Sequence, residues 1–86
     1  MIKMRTTAFI AIATKKGWIH TSGRLRGTVN IASAARAVGV VPTTLGAAYD
    51  GAEVGTKLIS HLMYATELPF EQLFDVIIEP APALAA

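Results

Sequence analysis

Five basic side chains of this 86-residue chain are its best candidates for binding a ligand, and the ligand that their charge favours is phosphate. Lys15 and Lys16 are adjacent, Arg24 and Arg26 lie within "SGRLRG", and Arg36 stands alone. Lys and Arg neutralise the phosphates of nucleic acids, and glycines around a basic pair let a loop adapt to a phosphate backbone. We expect these five residues to contact a polyanion. The alternative is that all five are solvated surface charges.

The charges of the chain are segregated. Residues 1–49 contain seven basic and no acidic residues, whereas residues 50–86 contain one basic and six acidic residues. The net charge of +2 conceals this difference between a half of +7 and a half of −5. Such asymmetry favours one face for a polyanion and another for solvent or a partner protein. Ordinary solubility charge that happens to be segregated is the alternative.

The residues that commonly catalyse reactions lack suitable neighbours. There is no cysteine, and the two histidines, His20 and His61, have no acid or cysteine at metal-ligand spacing. The glycine-rich "SGRLRG" is too short for a phosphate-binding loop and lacks its Lys-Ser/Thr ending. No flanking pattern marks a nucleophile among the serines weighed, Ser22, Ser33 and Ser60. We expect no enzyme activity, no metal and no cofactor.

Hydropathy predicts a chain that does not enter a membrane. The longest apolar run, "AFIAIA", is far shorter than the roughly 20 residues that a bilayer span needs. Lys15 and Lys16 follow that run at once, which argues against a signal peptide. The absence of cysteine suits a reducing compartment. The expected location is the cytoplasm, or the host cytoplasm and nucleoid if a phage encodes the chain.

The first 30 residues allow two interpretations. Residues 5–16 fit a helix that ends at Lys15 and Lys16, with Gly17 as its cap, or a strand that turns at "KKG". The helix is favoured because its end signals agree with one another. Residues 18–29 are rich in Gly, Ser and Thr and predict a loop or a short, poorly buried hairpin. Thr28 or Asn30 is placed to cap the next helix.

The remainder of the chain has stronger helical signals. "IASAARAV" ends at Gly39, and Pro42 is well placed to begin a helix that runs to about Tyr49. "TKLISHLMYAT" and "FEQLFDVI" each place apolar residues at helical spacing, the second with Phe70, Leu73, Phe74 and Ile77 on one face. The predicted fold is therefore mainly α, with four or five helices in a single domain over residues 1–79. Two prolines and small residues predict a flexible tail over 80–86.

The stretch 33–51, "SAARAVGVVPTTLGAAYDG", contains what two steeply crossed helices require. Ala35 is small enough for the two backbones to approach closely. Gly39 tolerates the positive φ of a tight turn. Leu45 and Ala48 are spaced to return apolar side chains from the second helix to the first. These are the requirements of a helix-turn-helix unit, whose second helix enters the major groove of DNA.

This stretch resembles the helix-turn-helix of the lambda-repressor-like, Cro/XRE-type regulators. The resemblance lies in Ala35, Gly39, Val40, Leu45 and the helix end "YDG". The downstream "TKLISHLMYATELPFEQLF" is similar to the last two helices of such domains. The match extends over about residues 31–78 and, loosely, over 5–17.

The chain departs from that family at three places. Ile31 stands where a Gln often contacts phosphate, and Asp50 stands where an Asn often ends the second helix. Residues 18–29 also lengthen a connection that is usually short. The resemblance implies a compact lambda-repressor-like domain and a sequence-specific transcriptional regulator, with a phage Cro-like repressor as the nearest type.

The resemblance places a helix near 42–49 in the major groove of a double-stranded DNA operator. Its outward face would carry Val41, Pro42, Thr43, Gly46 and Ala47, with Thr44 at its edge. This face has no Arg, Asn or Gln for bidentate base contacts, so modest specificity is expected, with affinity from the five cations. A flexible basic arm can also place Arg24 or Arg26 in a minor groove.

Three further possibilities follow from the same residues. Homodimers are expected if the exposed part of 70–78, or of 18–29, supplies a contact, and monomeric binding is the alternative. A protein-interaction module on the same fold, such as an antitoxin or antirepressor, is the second functional hypothesis. A nonspecific nucleoid protein fits the basic half but not the helix-turn-helix spacing.

Overall fold

A computed structural model describes residues 1–78, so the predicted tail 80–86 and residue 79 of the predicted domain lie outside it. The fold over these residues is mainly helical, with a two-stranded antiparallel sheet. The prediction of a mainly α domain with four or five helices is confirmed. In chain order the elements are β1 (Ile2–Met4), α1 (Thr6–Lys16), α2 (Ile31–Val38), α3 (Pro42–Tyr49), α4 (Thr56–Thr66), α5 (Phe70–Leu73) and β2 (Phe74–Val76).

The first helix forms as its end signals predict, and the strand alternative for 5–16 is wrong. Gly17 adopts the left-handed conformation with φ +81° and donates its N–H to the carbonyls of Ala13 and Thr14. The N–H of Trp18 also bonds to the Ala13 carbonyl at 2.8 Å. The indole lies against the buried Phe9, with ring centroids 6.4 Å apart. The C-terminal end of α1 is thereby fixed to the core.

Residues 18–30 form a short hairpin, the second of the two structures predicted for this segment. The N–H of Asn30 bonds to the Trp18 carbonyl at 2.8 Å, and the N–H of His20 bonds to the Thr28 carbonyl at 2.9 Å. Trp18 and Val29 pack against the core at the base of the hairpin, whereas residues 21–28 are all exposed. The hairpin is therefore anchored at its base, and its tip is exposed to solvent.

Helices α2 and α3 are joined by the three residues 39–41, and the chain bends by 116° between the helices. Gly39 has φ +91° and caps α2 with its N–H on the Ala35 carbonyl. Ala35, Leu45 and Ala48 are buried, so the small side chain of α2 and the apolar side chains of α3 meet in the core as predicted. Asn30, one of the two predicted caps, begins α2 by accepting the Ser33 N–H at 3.1 Å.

The predicted helix "FEQLFDVI" is wrong beyond Leu73. Phe74 begins β2, which pairs antiparallel with β1 in the register Met4 to Phe74, Lys3 to Asp75 and Ile2 to Val76. The N-terminal residues supply a strand partner that helical spacing cannot reveal. Phe74 stays buried and stacks on Phe70 at 5.2 Å, but Ile77 is 40% exposed.

The core joins all the helices and the sheet. Its largest fully buried side chains are Phe9, Leu45, Leu62, Leu73 and Phe74. Within residues 1–78 no single helix is long and apolar enough to cross a membrane. Helices α2 and α3 together reach the length and composition of a span, but with the 116° bend between them.

Candidate nucleic-acid interface

The outer face of α3 consists of small, uncharged side chains. Pro42, Thr43, Thr44 and Ala47 are all exposed, as the sequence predicts. Leu45 and Ala48 hold the opposite face of the helix in the core. Because no long side chain covers this face, the helix backbone can approach a flat or grooved partner closely.

Gly46 does not belong to this outer face, contrary to the prediction. A Cβ placed on Gly46 would lie 3.7 Å from Cγ2 of Ile31, so the residue faces the first turn of α2. Ile31 is itself half-buried in this contact. It acts as a packing residue between the two helices and offers no polar group to a ligand.

The N-terminal end of α3 is open to a hydrogen-bond acceptor. Its cap residue, Val41, has no side-chain hydrogen bond to offer, and Pro42 occupies the first turn. The first helical bond within α3 runs from the Leu45 N–H to the Val41 carbonyl at 3.1 Å. The N–H groups of Thr43 and Thr44 therefore lie at a helix start, where free amides and the helix dipole favour an anionic oxygen.

Arg24 and Arg26 are exposed at the tip of the hairpin. Gly23 and Gly27 flank them with φ +79° and +85°, which lets the chain reverse within a few residues. The N–H of Gly27 bonds to the His20 carbonyl at 2.8 Å, which closes the loop that bears both arginines. The two guanidinium groups are thus presented on a defined projection of the backbone.

The other three predicted cations lie at helix ends. Lys15 and Lys16 are in the last turn of α1, and Arg36 is in the last turn of α2, just before the turn into α3. All three are exposed. Cations at these positions also favour the negative end of the helix dipole, which is the alternative explanation for them.

The remaining cations of the basic half lie next to acids. Arg5 bonds to Asp75 across 2.7 Å, and this hydrogen bond together with the carboxylate charge raises the pKa of Arg5 above its ordinary value. Lys3 is opposite Asp75 in the sheet and bridges to Glu53 through the backbone. Over residues 1–78 the Arg5–Asp75 pair is the one ion pair. The five predicted phosphate-binding cations are therefore unpaired within that range.

The first turn of α2 links the cations to α3. The carbonyl of Trp18, two residues after Lys16, accepts the N–H of Asn30, and Asn30 caps α2. The next residue, Ile31, packs on Gly46 of α3. The end of α1 and the base of the hairpin therefore join the fold beside α3. Arg36 lies at the other end of α2, near the start of α3. Lys16 and Arg36 therefore lie towards opposite ends of α2.

Two features near the turn are not predicted from the sequence. His61 of α4 places Nδ1 3.3 Å from the Val38 carbonyl oxygen, next to Gly39. Tyr64, one turn further along α4, is 88% exposed and lines a shallow depression with Ser60 and His61. Apolar spacing in α4 indicates which residues are buried, but gives no signal for what its exposed face contacts.

Asp50 ends α3 and is exposed, so its carboxylate would repel a phosphate placed beside it. Among residues 1–78, no group of three or more His, Asp and Glu side chains could hold a metal ion. Comparisons with protein-family models, with curated proteins and with solved structures found no match.

Proposed function

We propose that this protein is a sequence-specific regulator of transcription that binds double-stranded DNA, with α3 in the major groove. The observation that carries the proposal is the α2–α3 pair. The three-residue turn between the helices contains Gly39 in a positive-φ conformation. The angle of 116° between the helices is typical of helix-turn-helix units, which range from about 90° to 120°. The second helix of such a unit is the one that reads DNA. A repressor similar to Cro, on a lambda-repressor-like fold, is the specific form that we propose.

Affinity would come mainly from phosphates. The five cations that have no ion pair within residues 1–78 are the candidates for these contacts. Each phosphate neutralised on B-DNA contributes about −0.9 to the slope of log K against log salt concentration. Contacts by all five would give a slope of about −4.5. Direct reading by α3 would be weaker, because Thr43 and Thr44 each offer one hydroxyl, and Ala47 offers a methyl group to thymine.

A homodimer on a two-fold symmetric operator is part of the proposal. The two-stranded sheet leaves the outer edge of β2 unpaired within residues 1–78. Next to that edge lie exposed apolar side chains, with Val76 57% and Ile78 84% exposed. An exposed strand edge with apolar side chains favours pairing with another strand. The half-sites would then lie about 34 Å apart, or a multiple of that.

Exposed apolar and aromatic side chains also favour a second candidate function. Val76, Ile78 and Tyr64 could bind a different protein, as expected of an antitoxin or antirepressor. In that case, changes at β2 would abolish function and changes on α3 would leave it intact. A nonspecific nucleoid protein, the third possibility, would bind every DNA fragment equally.

The test compares two charge insertions in a gel-shift titration of promoter fragments at two salt concentrations. Ala47→Glu places a carboxylate on the exposed face of α3, whereas Ala11→Glu places the same charge on the exposed face of α1. We expect Ala47→Glu to weaken binding at least tenfold, and Ala11→Glu to bind like the unchanged protein. Equal affinity of the two variants, or equal weak binding to all fragments, would contradict the proposal.

A further inference from the structure

Leu25 is an apolar side chain at the tip of the basic hairpin, between Arg24 and Arg26. It is 56% exposed and belongs neither to the core nor to the side chains packed against the core. Trp18 and Val29 anchor the hairpin at its base. The fold therefore gains little from Leu25, and a polar residue would serve equally well in a tip that only met water.

Hydrogen bonds within the hairpin close this tip. The carbonyl of Leu25 accepts the Thr28 N–H at 2.9 Å, and the Thr28 hydroxyl bonds to the same oxygen. The N–H of Arg26 bonds to the Gly23 carbonyl at 3.3 Å. Because these bonds restrict the backbone of the tip, we expect little conformational entropy to be lost when Leu25 is buried against a partner.

A leucine between two arginines matches the chemistry of the DNA minor groove. Arg favours the negative potential of a narrow A·T-rich minor groove, which is about 6 Å wide in B-DNA. Apolar side chains enter the same groove as wedges between base pairs, and they kink the duplex by about 20–90°. Contacts to backbone phosphates alone would explain the arginines but not the leucine.

We propose that the hairpin tip binds the minor groove beside the α3 site and that Leu25 wedges between base pairs there, bending the DNA. This inference rests on the proposed function, since the tip acts on the duplex that α3 binds. It adds a specificity element, because wedging is easiest at flexible pyrimidine–purine steps such as TA and CA. A preferred base step is therefore expected outside the α3 site.

The experiment measures the bend angle by energy transfer between dyes at the two ends of a duplex that the protein binds. The unchanged protein should bend this duplex within the range of about 20–90° for wedge insertion. Leu25→Ala should remove most of the bend, whereas Leu25→Ile should keep it. Ser22→Ala, an exposed change on the same hairpin, is the matched control and should bend DNA normally. Equal melting temperatures of the four proteins would show that each is folded.

Salt dependence separates the leucine from the arginines. Leu25→Ala should leave the slope of log K against log salt unchanged, while Arg24→Ala and Arg26→Ala should each reduce its magnitude by about 1. Failure of every protein to bind duplex DNA would overturn the proposed function, and this inference with it. Binding by α3 with equal bends for Leu25→Ala and the unchanged protein would overturn only the wedge.

An arginine–leucine–arginine tip could also bind anionic lipid, so vesicles of phosphatidylcholine and phosphatidylserine are a separate arm of the test. We expect no flotation with these vesicles. Flotation that Leu25→Ala abolishes, together with an unbent duplex, would assign the tip to a membrane surface and overturn the minor-groove proposal.

Discussion

Replacing Gly39 with Ala tests the turn that orients α3. Gly39 has φ +91°, and a Cβ there would lie 3.3 Å from Nδ1 of His61. The same Nδ1 lies 3.3 Å from the Val38 carbonyl oxygen. The substitution would therefore strain the backbone and also press the added methyl group against a ring that contacts the end of α2.

Gly17 provides a matched control for the size of the effect. It also caps a helix, with φ +81°, but a Cβ on it would meet no atom within 4 Å. The left-handed conformation is about 1–2 kcal/mol less favourable for a residue with a Cβ than for glycine. The lower entropy of the unfolded alanine variant offsets about 0.4–1 kcal/mol of this. We expect Gly17→Ala to lower the free energy of unfolding by about 1 kcal/mol. Gly39→Ala should cost about 0.5–1.5 kcal/mol more, because a displaced His61 weakens its hydrogen bond to Val38.

The assay is denaturant unfolding of the unchanged protein and four variants: Gly17→Ala, Gly39→Ala, His61→Ala and the double variant Gly39→Ala/His61→Ala. We expect Gly39→Ala to lower the free energy of unfolding more than Gly17→Ala does in the unchanged background. This excess should disappear when His61 is absent. For a domain of this size, each 1 kcal/mol lowers the melting temperature by about 4–8 °C. Equal costs for the two glycine changes, or an excess that persists without His61, would refute the assigned contact.

Three further predictions concern stability. Leu45→Ala, which truncates a fully buried side chain of α3, should cost about 2–5 kcal/mol in urea unfolding, and a cost below about 1 kcal/mol would mean that α3 does not pack as described. Asn30→Ala should cost about 0.5–2 kcal/mol by loss of the α2 cap, with Asn30→Ser, which can still cap, as the control. Asp75→Asn should shift the melting temperature only slightly, because the Arg5–Asp75 pair is exposed. Because the pKa of Arg5 is raised, this shift should stay constant from about pH 6 to 9 and, as the pH is raised further, should persist until above the ordinary Arg pKa.

The central helices are predictable because their signals are local. The Asn30 side chain caps α2 from the residue before it, and Gly39 and Pro42 suit the backbone conformation at the positions where α2 ends and α3 begins. The bounds of α2 and α3 follow from these three residues. Leu45 and Ala48 add the spacing of a buried face. The sequence therefore predicts the α2–turn–α3 geometry correctly.

The sheet is not predictable from the same signals. The pairing of Met4 with Phe74 joins residues 70 positions apart, and neither three-residue strand is long enough to show an alternating pattern. Phe74 fits a helical face with Phe70 and Leu73, so the spacing of apolar residues predicts a helix longer than the one observed. Ile10, in the apolar run "AFIAIA", is 39% exposed, because α1 buries Phe9 and Ala13 on its other side.

The candidate site is predictable in part. Exposure of Pro42, Thr43, Thr44 and Ala47 follows from the helical spacing of Leu45, because a buried position fixes its opposite face. The inward orientation of Gly46 could not be predicted, since it depends on Ile31 of another helix. DNA binding by the five cations remains a prediction.

Selection of binding sites from random duplex DNA, carried out in parallel with the unchanged protein and Thr43→Gln, tests most directly whether α3 reads base pairs. Gln can bond adenine with two hydrogen bonds in the major groove, which Thr cannot. We expect both proteins to select a two-fold symmetric site, and the variant to change its preference towards adenine at one position in each half-site. Identical selected sites, or no enriched sequence for either protein, would contradict the placement of α3 in the major groove.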